Sequence, residues 1–554
     1  MGAPDKDYKL GSNDGVEEID PVTEAMGDFG RWQFAMVCLV GSFIIPCCYP
    51  VLNLTFLNAS NDFWCAPPAS IADRATLEQW RNISGQAKHG ACRVYDIDYE
   101  RDFSRYLSIP ESTPTRPCKK WDYDRTDFET TFTTEWDLVC DNAYLKSIAQ
   151  TVFFMGMIGG VSGAGILCDW YGRKNIIVAL LLAMSVVGIA CAYMPTFTLF
   201  TVGRFFHALI YIGVLECIFT WVLEIAGVRY KARAGIGIDF FWVVGWLSLS
   251  VMAYFITDWR HLLMATSLPG FASVVLIWLM PESPRWLLSM GRVKEAEDVI
   301  RKVAKFNNRP LAVDWSLDTK AILGQAGQVE VEEQAGLIDL FRTQEMRMKT
   351  LILYINWFAN SFCYYGLTLN APGYGTSPLV SFTINGLLEI PAYASAIFLL
   401  SWKGRRVPYA TSMILTGISL LSILLLPEQE SAPAKTAGFD NAATIMALAI
   451  MVFGKFWITV SFASVFLYTA ELYPTTVRTT ALGTSSCMAR FGGMACGWVA
   501  LLKAYHSKLP LIVFGGVALF SGIIAIKLPE TKGKKLPDTL AEGEAMRTKK
   551  LCCY

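Results

Sequence analysis

GILCDWYGRK, residues 165–174, places an acid, a glycine and two bases in the short break between two long apolar runs, and WKGRR at 402–406 repeats the pattern in the second half of the chain. Two further pairs follow in the same order. LEIAGVRYKAR (223–233) is echoed by AELYPTTVR (470–478), and PESPRW (281–286) by PETKGK (529–534). The last two pairs are each offset by about 250 residues, and recurrence at a fixed offset is the mark of an internal repeat. Two six-span halves are the economical reading.

The runs around these motifs have the length of bilayer-crossing helices, about 20 residues each. Twelve spans are predicted, at 32–56, 145–168, 175–194, 198–223, 235–256, 262–280, 348–369, 379–401, 408–426, 441–468, 479–502 and 510–528. With 53% hydrophobic and 17% charged residues, the chain has too little polar surface for one soluble globule of 554 residues. Lys+Arg and Asp+Glu balance at 48 each, so net charge points to no nucleic acid, and the lipid bilayer is the expected surrounding. The polar, acidic segment through Asp28 has no basic n-region or cleavage site, so the first span is expected to act as the start signal. Bases concentrate after spans two, four, six, eight and ten (Arg173, Lys174; Arg229, Lys231, Arg233; Arg285, Arg292, Lys294; Lys403, Arg405, Arg406; Arg478). The positive-inside rule then puts both termini in the cytosol and the long 58–143 loop outside.

The expected division is a cytosolic N-terminus (1–31), a first six-helix half (32–280), a cytosolic loop (281–346), a second half (347–528) and a cytosolic tail (529–554). Cys65, Cys92, Cys118 and Cys140 form an even set in the outside loop, beside the glycosylation sequons at Asn58 and Asn82. Three disulfide pairings are open. In the central loop, Val293, Ala296, Val299, Ile300 and Val303 recur at helical spacing in GRVKEAEDVIRKVAKF (291–306), which predicts an amphipathic helix.

Each repeated motif has a physical use. The glycine permits a tight reversal, Asp169 can sit at a helix N-terminus, and Arg173 can pair with an acid across the halves. Glu224 and Glu471 end their spans within reach of Arg229 and Arg478, and Glu282, Arg285 and Arg405 complete a set of gating charges. Such pairs would latch one face of the bundle and break when it opens.

Two six-span halves with a D-x-x-G-R-K loop after span two resemble the major facilitator superfamily. More narrowly, TEWDLVCDNAYLKS (134–147), DWRHLLMATSLPG (258–270), PESPRWLLSMGR (281–292), FGKFWITVSFASVFLYTAELYPTTVR (453–478) and LPETKGKKLPDT (528–539) resemble the organic cation, organic anion and carnitine transporter family. The resemblance covers nearly the whole chain. It implies an all-α membrane protein of twelve transmembrane helices in two pseudo-symmetric halves, alternating access around a central site, and a plasma-membrane location.

Charges inside the spans carry the substrate reading, because an ionised group at bilayer depth needs a partner, a ligand or a watery cavity. They are Glu216 in span four, Asp239 in span five, Glu389 in NGLLEIPAY (385–393), Lys455 in span ten and Arg490 in GTSSCMARFGGMACGWVALL (483–502). In the family that this chain resembles, the place of Arg490 holds an acid in cation carriers and an arginine in anion and carnitine-type carriers. Anion carriers often have a lysine where EIPAY has Tyr393, which is similar instead to the carnitine-type branch. ALIYIGVLE (208–216) departs from the polar run that carnitine-type members have early in span four, which counts against carnitine itself and against sodium coupling without excluding either.

A guanidinium can bind a carboxylate bidentately. Glu389 or Glu216 then offers the charge for an amine, with Tyr364, Tyr365, Trp242, Trp457 and Phe462 as candidates to box it by cation–π contact. The expected substrate is a small zwitterion such as carnitine, a betaine or β-alanine. Alternatives are an organic anion exchanger and, behind it, an organic cation carrier or a non-transporting receptor. The competing structural reading pairs Glu389 and Arg490 with each other or with Lys455 for packing alone. Scattered histidines, no nucleotide-binding glycine loop and no metal spacing argue against an enzyme or a bound cofactor. The residues leave Na+ or H+ coupling open.

Overall fold

Each apolar run becomes a helix, and most helices outrun the run that announced them, because periodic hydropathy marks only the part in hydrocarbon. The computed structural model describes residues 21–59, 61–68, 76–84, 86, 90–97, 113–227, 230–309, 311–312, 315–317, 336–369, 377–426, 442–506, 508–534, 537 and 539–547. The first half comprises α1 (Arg31–Leu57), α2 (Tyr144–Tyr171), α3 (Arg173–Ala192), α4 (Phe197–Ile225), α5 (Lys231–Phe255) and α6 (Trp259–Leu279). The second comprises α7 (Gln344–Leu369), α8 (Pro378–Lys403), α9 (Arg406–Leu425), α10 (Ala442–Leu472), α11 (Thr475–Ala500) and α12 (Leu509–Ala525). Nine helices among the described residues are long and apolar enough to cross a membrane. The remaining three have reasons to fall short. Polar side chains interrupt α7 and α11, among them buried Asn356, Asn360, Ser485 and Arg490, and α12 is only 17 residues long.

The repeat in the sequence is a repeat in space. Gly172 and Gly404 stand at φ 93° and 95°, a backbone conformation open to glycine, and each turns the chain into the next helix. Beside them, Glu282 accepts from the backbone N–H of Arg173 and Lys174 at the start of α3, and Glu530 accepts from those of Arg405 and Arg406 at the start of α9. Both carboxylates thus sit on the positive end of a helix dipole.

The gating pairs differ from expectation. Arg173 binds Asp169 at 2.9 Å and Glu224 at 2.9 Å, both in its own half. Glu471 binds Arg405 at 2.9 Å, while Arg478 gives its Nε to the Tyr473 carbonyl. Arg285 donates to the Glu224 carbonyl and to Thr23. Arg229 lies outside the described residues. A tight glycine reversal carries each arginine back over its own helix, nearer to the acid ending α4 or α10 than to the opposite half.

The halves meet where α2 packs on α11 and α5 on α8. Hydrogen bonds seal this seam at the end of the bundle that carries segment 58–143. Ser147 donates to the Gly497 carbonyl at 2.8 Å, Gln150 to that of Gly493 at 3.0 Å, and Trp246 to that of Phe382 at 2.9 Å.

Segment 58–143 contains two antiparallel ribbons, β1 (Phe63–Cys65) with β4 (Trp121–Tyr123) and β2 (Arg93–Tyr95) with β3 (Thr115–Pro117). Of the three open pairings, the disulfides are Cys65–Cys118 and Cys92–Cys140, around a small core of Trp80, Ile83 and Val94. A third, Cys168–Cys217, joins α2 to α4. Asn82 is exposed, whereas Asn58 is half-buried and accepts a hydrogen bond from Thr133; Ser60 of its sequon is not described. The amphipathic helix forms at Val293–Phe306 with Ala296, Ile300 and Val303 buried, and Asn307 beyond it ties down the start of α1 through Trp32 and Gln33.

Candidate functional site

Of the five embedded charges, four fall into two pairs. Glu389 on α8 is fully buried and meets Lys455 of α10 at 3.3 Å. Its Oε1 also accepts from the Tyr364 hydroxyl and its Oε2 from Tyr393 at 3.4 Å. Lys455 donates to Thr368 at 2.8 Å, and its ammonium lies 3.5 Å from the Tyr364 ring centre and 5.2 Å from that of Trp246. This pair is therefore well satisfied: burying two charges costs several kcal/mol each unless good geometry and extra hydrogen bonds offset it.

Arg490 is held less completely. Glu216 of α4, in the opposite half, stands 3.9 Å away, at the limit of an ion pair, with its side chain 36% exposed. One guanidinium nitrogen caps the Ser486 carbonyl at 3.0 Å and binds the Ser486 hydroxyl, while the buried Nε has no hydrogen-bond partner among the described residues. A charged donor left unmade in a buried place is expensive, so this is where a ligand acceptor would gain most.

Asp239 on α5 is half-buried and makes no hydrogen bond or ion pair among the described residues, although it is near enough to Glu389 to feel its charge. Tyr365, half-buried, is within electrostatic reach of both Arg490 and Glu389 and packs edge-on to Phe154 of the first half at 5.0 Å and to Tyr364 at 5.3 Å. Phe462 lies against Tyr364 at 5.0 Å. The geometry thus brings together Glu389, Lys455, Tyr364, Tyr365 and Phe462, and separately Arg490 with Glu216. Trp457 is elsewhere: it packs with Phe453 and Phe456 against Ala392 and Ala396, between α10 and α8. Trp242 is half-buried and joins no ring pair among the described residues.

Sequence reasoning missed Trp246, Thr368 and Tyr393 as parts of this cluster and counted Asp239 among the embedded charges without assigning it to the substrate. A helical repeat through span five from Asp239 would have found Trp246 on the same face, seven residues on.

A family model described as "Sugar (and other) transporter" matches residues 105–539. The chain is 33% identical over 530 residues to the organic cation transporter protein of Drosophila melanogaster, covering 95% of this chain and 94% of that one. It is 31% identical over 541 residues to organic cation/carnitine transporter 2 of Homo sapiens (95% and 94% covered) and 33% identical over 544 residues to solute carrier family 22 member 7 of Mus musculus (96% and 97%). Among solved structures, the inward-open xylose transporter XylE from E. coli matches with a TM-score of 0.61 at 15% identity, over 93% of this chain and all of that one, a likeness of fold.

Proposed function

Since the chain belongs to the organic cation, organic anion and carnitine transporter family of the major facilitator superfamily, and is a multi-pass membrane transporter, we propose that it carries small organic zwitterions across the plasma membrane by alternating access. The observation that carries this reading is the under-satisfied Arg490, with a loose and partly solvated Glu216 as its ion-pair partner. A substrate carboxylate takes the free edge of the guanidinium, and Glu216 turns to water. The ammonium is drawn to Asp239, whose carboxyl makes no ion pair among the described residues, beside the aromatic wall of Tyr364 and Tyr365. Glu389, first in line for that role on sequence grounds, is neutralised by Lys455 and acts here as the organiser of the wall.

Charge arithmetic favours a zwitterion over an anion. A net-neutral substrate adds no charge to the cavity, whereas a simple anion would face the uncompensated Asp239 with no ammonium to offset it. With segment 58–143 taken as outside, the seal at that end supports an inward-facing state in which the carrier loads or empties toward the cytosol.

A second reading, a simple organic cation carrier, draws on the unpaired Asp239. Uptake into proteoliposomes separates the two, using a betaine or β-amino acid, its methyl ester (a cation) and its deaminated analogue (an anion). The zwitterion should accumulate at least about tenfold over both, since loss of one charge-assisted contact costs that much or more. Preference for the ester would establish the second reading in its place.

A further inference from the structure

The two matched turns share a backbone but not a charge. Ser401 and Lys403 of the second turn stand where the first has Asp169 and Tyr171, and Lys532 and Lys534 where it has Pro284 and Trp286. Only Gly533 against Arg285 runs the other way, so the second turn is three positive charges richer than the first.

The contacts follow the charge. In the first half the end of α2 is covered by a neutral donor: the Trp286 indole gives its N–H to the Asp169 carbonyl, and the Asp169 carboxylate is bound by Arg173. In the second half the matching carbonyl, that of Ser401, and the Trp402 carbonyl each accept from the Lys532 ammonium at 2.8 Å. The Lys403 ammonium lies 4.1 Å from the centre of the Trp402 ring. Two exposed ammonium groups thus flank one tryptophan, and neither makes an ion pair among the described residues. The acids of the turn are engaged elsewhere. Glu471 binds Arg405 and Thr531, and Glu530 accepts from the backbone N–H groups of Arg405, Arg406, Thr531 and Lys532.

The surroundings place these lysines at the edge of the bilayer. Trp402 is 59% exposed and Phe398, one turn earlier on α8 with its ring centre 5.7 Å away, is 63% exposed. An exposed tryptophan at the end of an apolar span marks the level of the lipid headgroups, and the phenylalanine before it faces acyl chains.

We propose that the α8–α9 turn binds the headgroup phosphate of an anionic glycerophospholipid between Lys403 and Lys532, with the acyl chains along Trp402 and Phe398. The ammonium groups supply charge-assisted donors to the phosphate oxygens. The first turn, whose Asp169 carboxylate is 70% exposed, is the wrong sign for the same headgroup. The lipid lies in the leaflet on the side of the 281–346 loop, which in the orientation proposed above is the anionic, cytosolic one.

The test is binding of phosphatidylglycerol to the purified, delipidated full-length carrier in detergent, read by native mass spectrometry and by thermal unfolding. Phosphatidylcholine and glycerol 3-phosphate serve as the uncharged lipid and the soluble phosphate. The expected result is retained phosphatidylglycerol adducts and a saturable rise in Tm of about 2–4 °C with that lipid alone. Lys403→Gln combined with Lys532→Gln should weaken its binding about 30-fold, each juxtamembrane charge contributing about fivefold. Ser401→Asp, which gives the second turn the acid of the first, should act in the same direction. Lys294→Gln, on the exposed face of the helix Val293–Phe306, should leave binding unchanged. Glutamine at 532 keeps an N–H for the Ser401 carbonyl, and mass spectrometry reads lipid binding whatever the Tm of the variant. Equal binding of the two lipids, or phosphatidylglycerol binding undiminished in the double variant, overturns the proposal. So does a full effect from glycerol 3-phosphate, which would make the turn a site for soluble phosphates.

Discussion

At the scale of single residues, the two embedded pairs behave oppositely because they are satisfied to different degrees. Lys455 and Glu389 hold each other with Thr368, Tyr364 and Tyr393 filling the remaining positions. Neutralising either leaves the other uncompensated, so Glu389→Gln or Lys455→Met alone should cost stability as well as transport, and the double variant should recover part of the stability. Arg490 and Glu216 form the exchangeable pair. Arg490→Ala should reduce kcat/KM for a zwitterion by about 10- to 100-fold, the worth of a charge-assisted bond. Glu216→Gln should act in the other direction and lower KM about threefold to tenfold, because the competing carboxylate is gone. A KM that rises in Glu216→Gln would assign Glu216 to the substrate directly. Asp239→Asn should impair zwitterions and their cationic esters alike. From sequence, these five charges were legible because ionised groups are rare at bilayer depth. Their partners were not, since which acid faces which base depends on helix rotation and on contacts between residues far apart in the chain.

At the scale of elements, the repeated turn carries matched glycines and matched acids with unlike titration. Burial pushes the Glu282 carboxyl above its usual range, against the pull of the Ser283, Lys174 and Arg173 amides. Burial also acts on Glu530, but the amides of Arg405, Lys532, Arg406 and Thr531 outweigh it and hold its carboxyl below the usual range. The signs follow by linkage. A carboxyl raised in the folded state contributes stability below its unfolded pKa and loses it as pH rises through the raised value. A depressed one contributes above its unfolded pKa and loses it as pH falls through the lowered value. At pH 7, Glu530→Gln should therefore lower Tm and Glu282→Gln should leave it unchanged or raise it, a contrast that fades on acidification into the carboxylate range; paired Tm curves against pH would show it. Gly172→Ala should be more disruptive than either, because φ is 93° and the new Cβ would stand 2.5 Å from a Glu282 oxygen. The motifs announced this turn in both halves. They did not announce that each arginine would stay within its half, since the spacing of a loop does not say which of two acids its side chain reaches.

At the scale of the molecule, the two-half architecture was legible from hydropathy and repeat, as was the amphipathic helix at Val293–Phe306. The β-ribbons and the Cys168–Cys217 bridge were not, because three-residue strands have no readable alternation and an isolated cysteine in an apolar run reads as packing. Alternating access requires that the seam sealed by Ser147 and Gly497 open in the other state. Ser147→Cys combined with Gly497→Cys should crosslink with a short bifunctional thiol reagent, stop uptake, and recover on use of a cleavable reagent followed by reduction; undiminished uptake after complete crosslinking would contradict movement at that seam. In the proposed mechanism, Arg490 reads the substrate carboxylate. The most direct measurement compares binding of a zwitterion and its methyl ester to purified wild-type carrier and to Arg490→Ala by calorimetry. Wild type should prefer the zwitterion by at least about tenfold, and Arg490→Ala should erase the preference by weakening zwitterion binding alone. An undiminished preference in Arg490→Ala would contradict it.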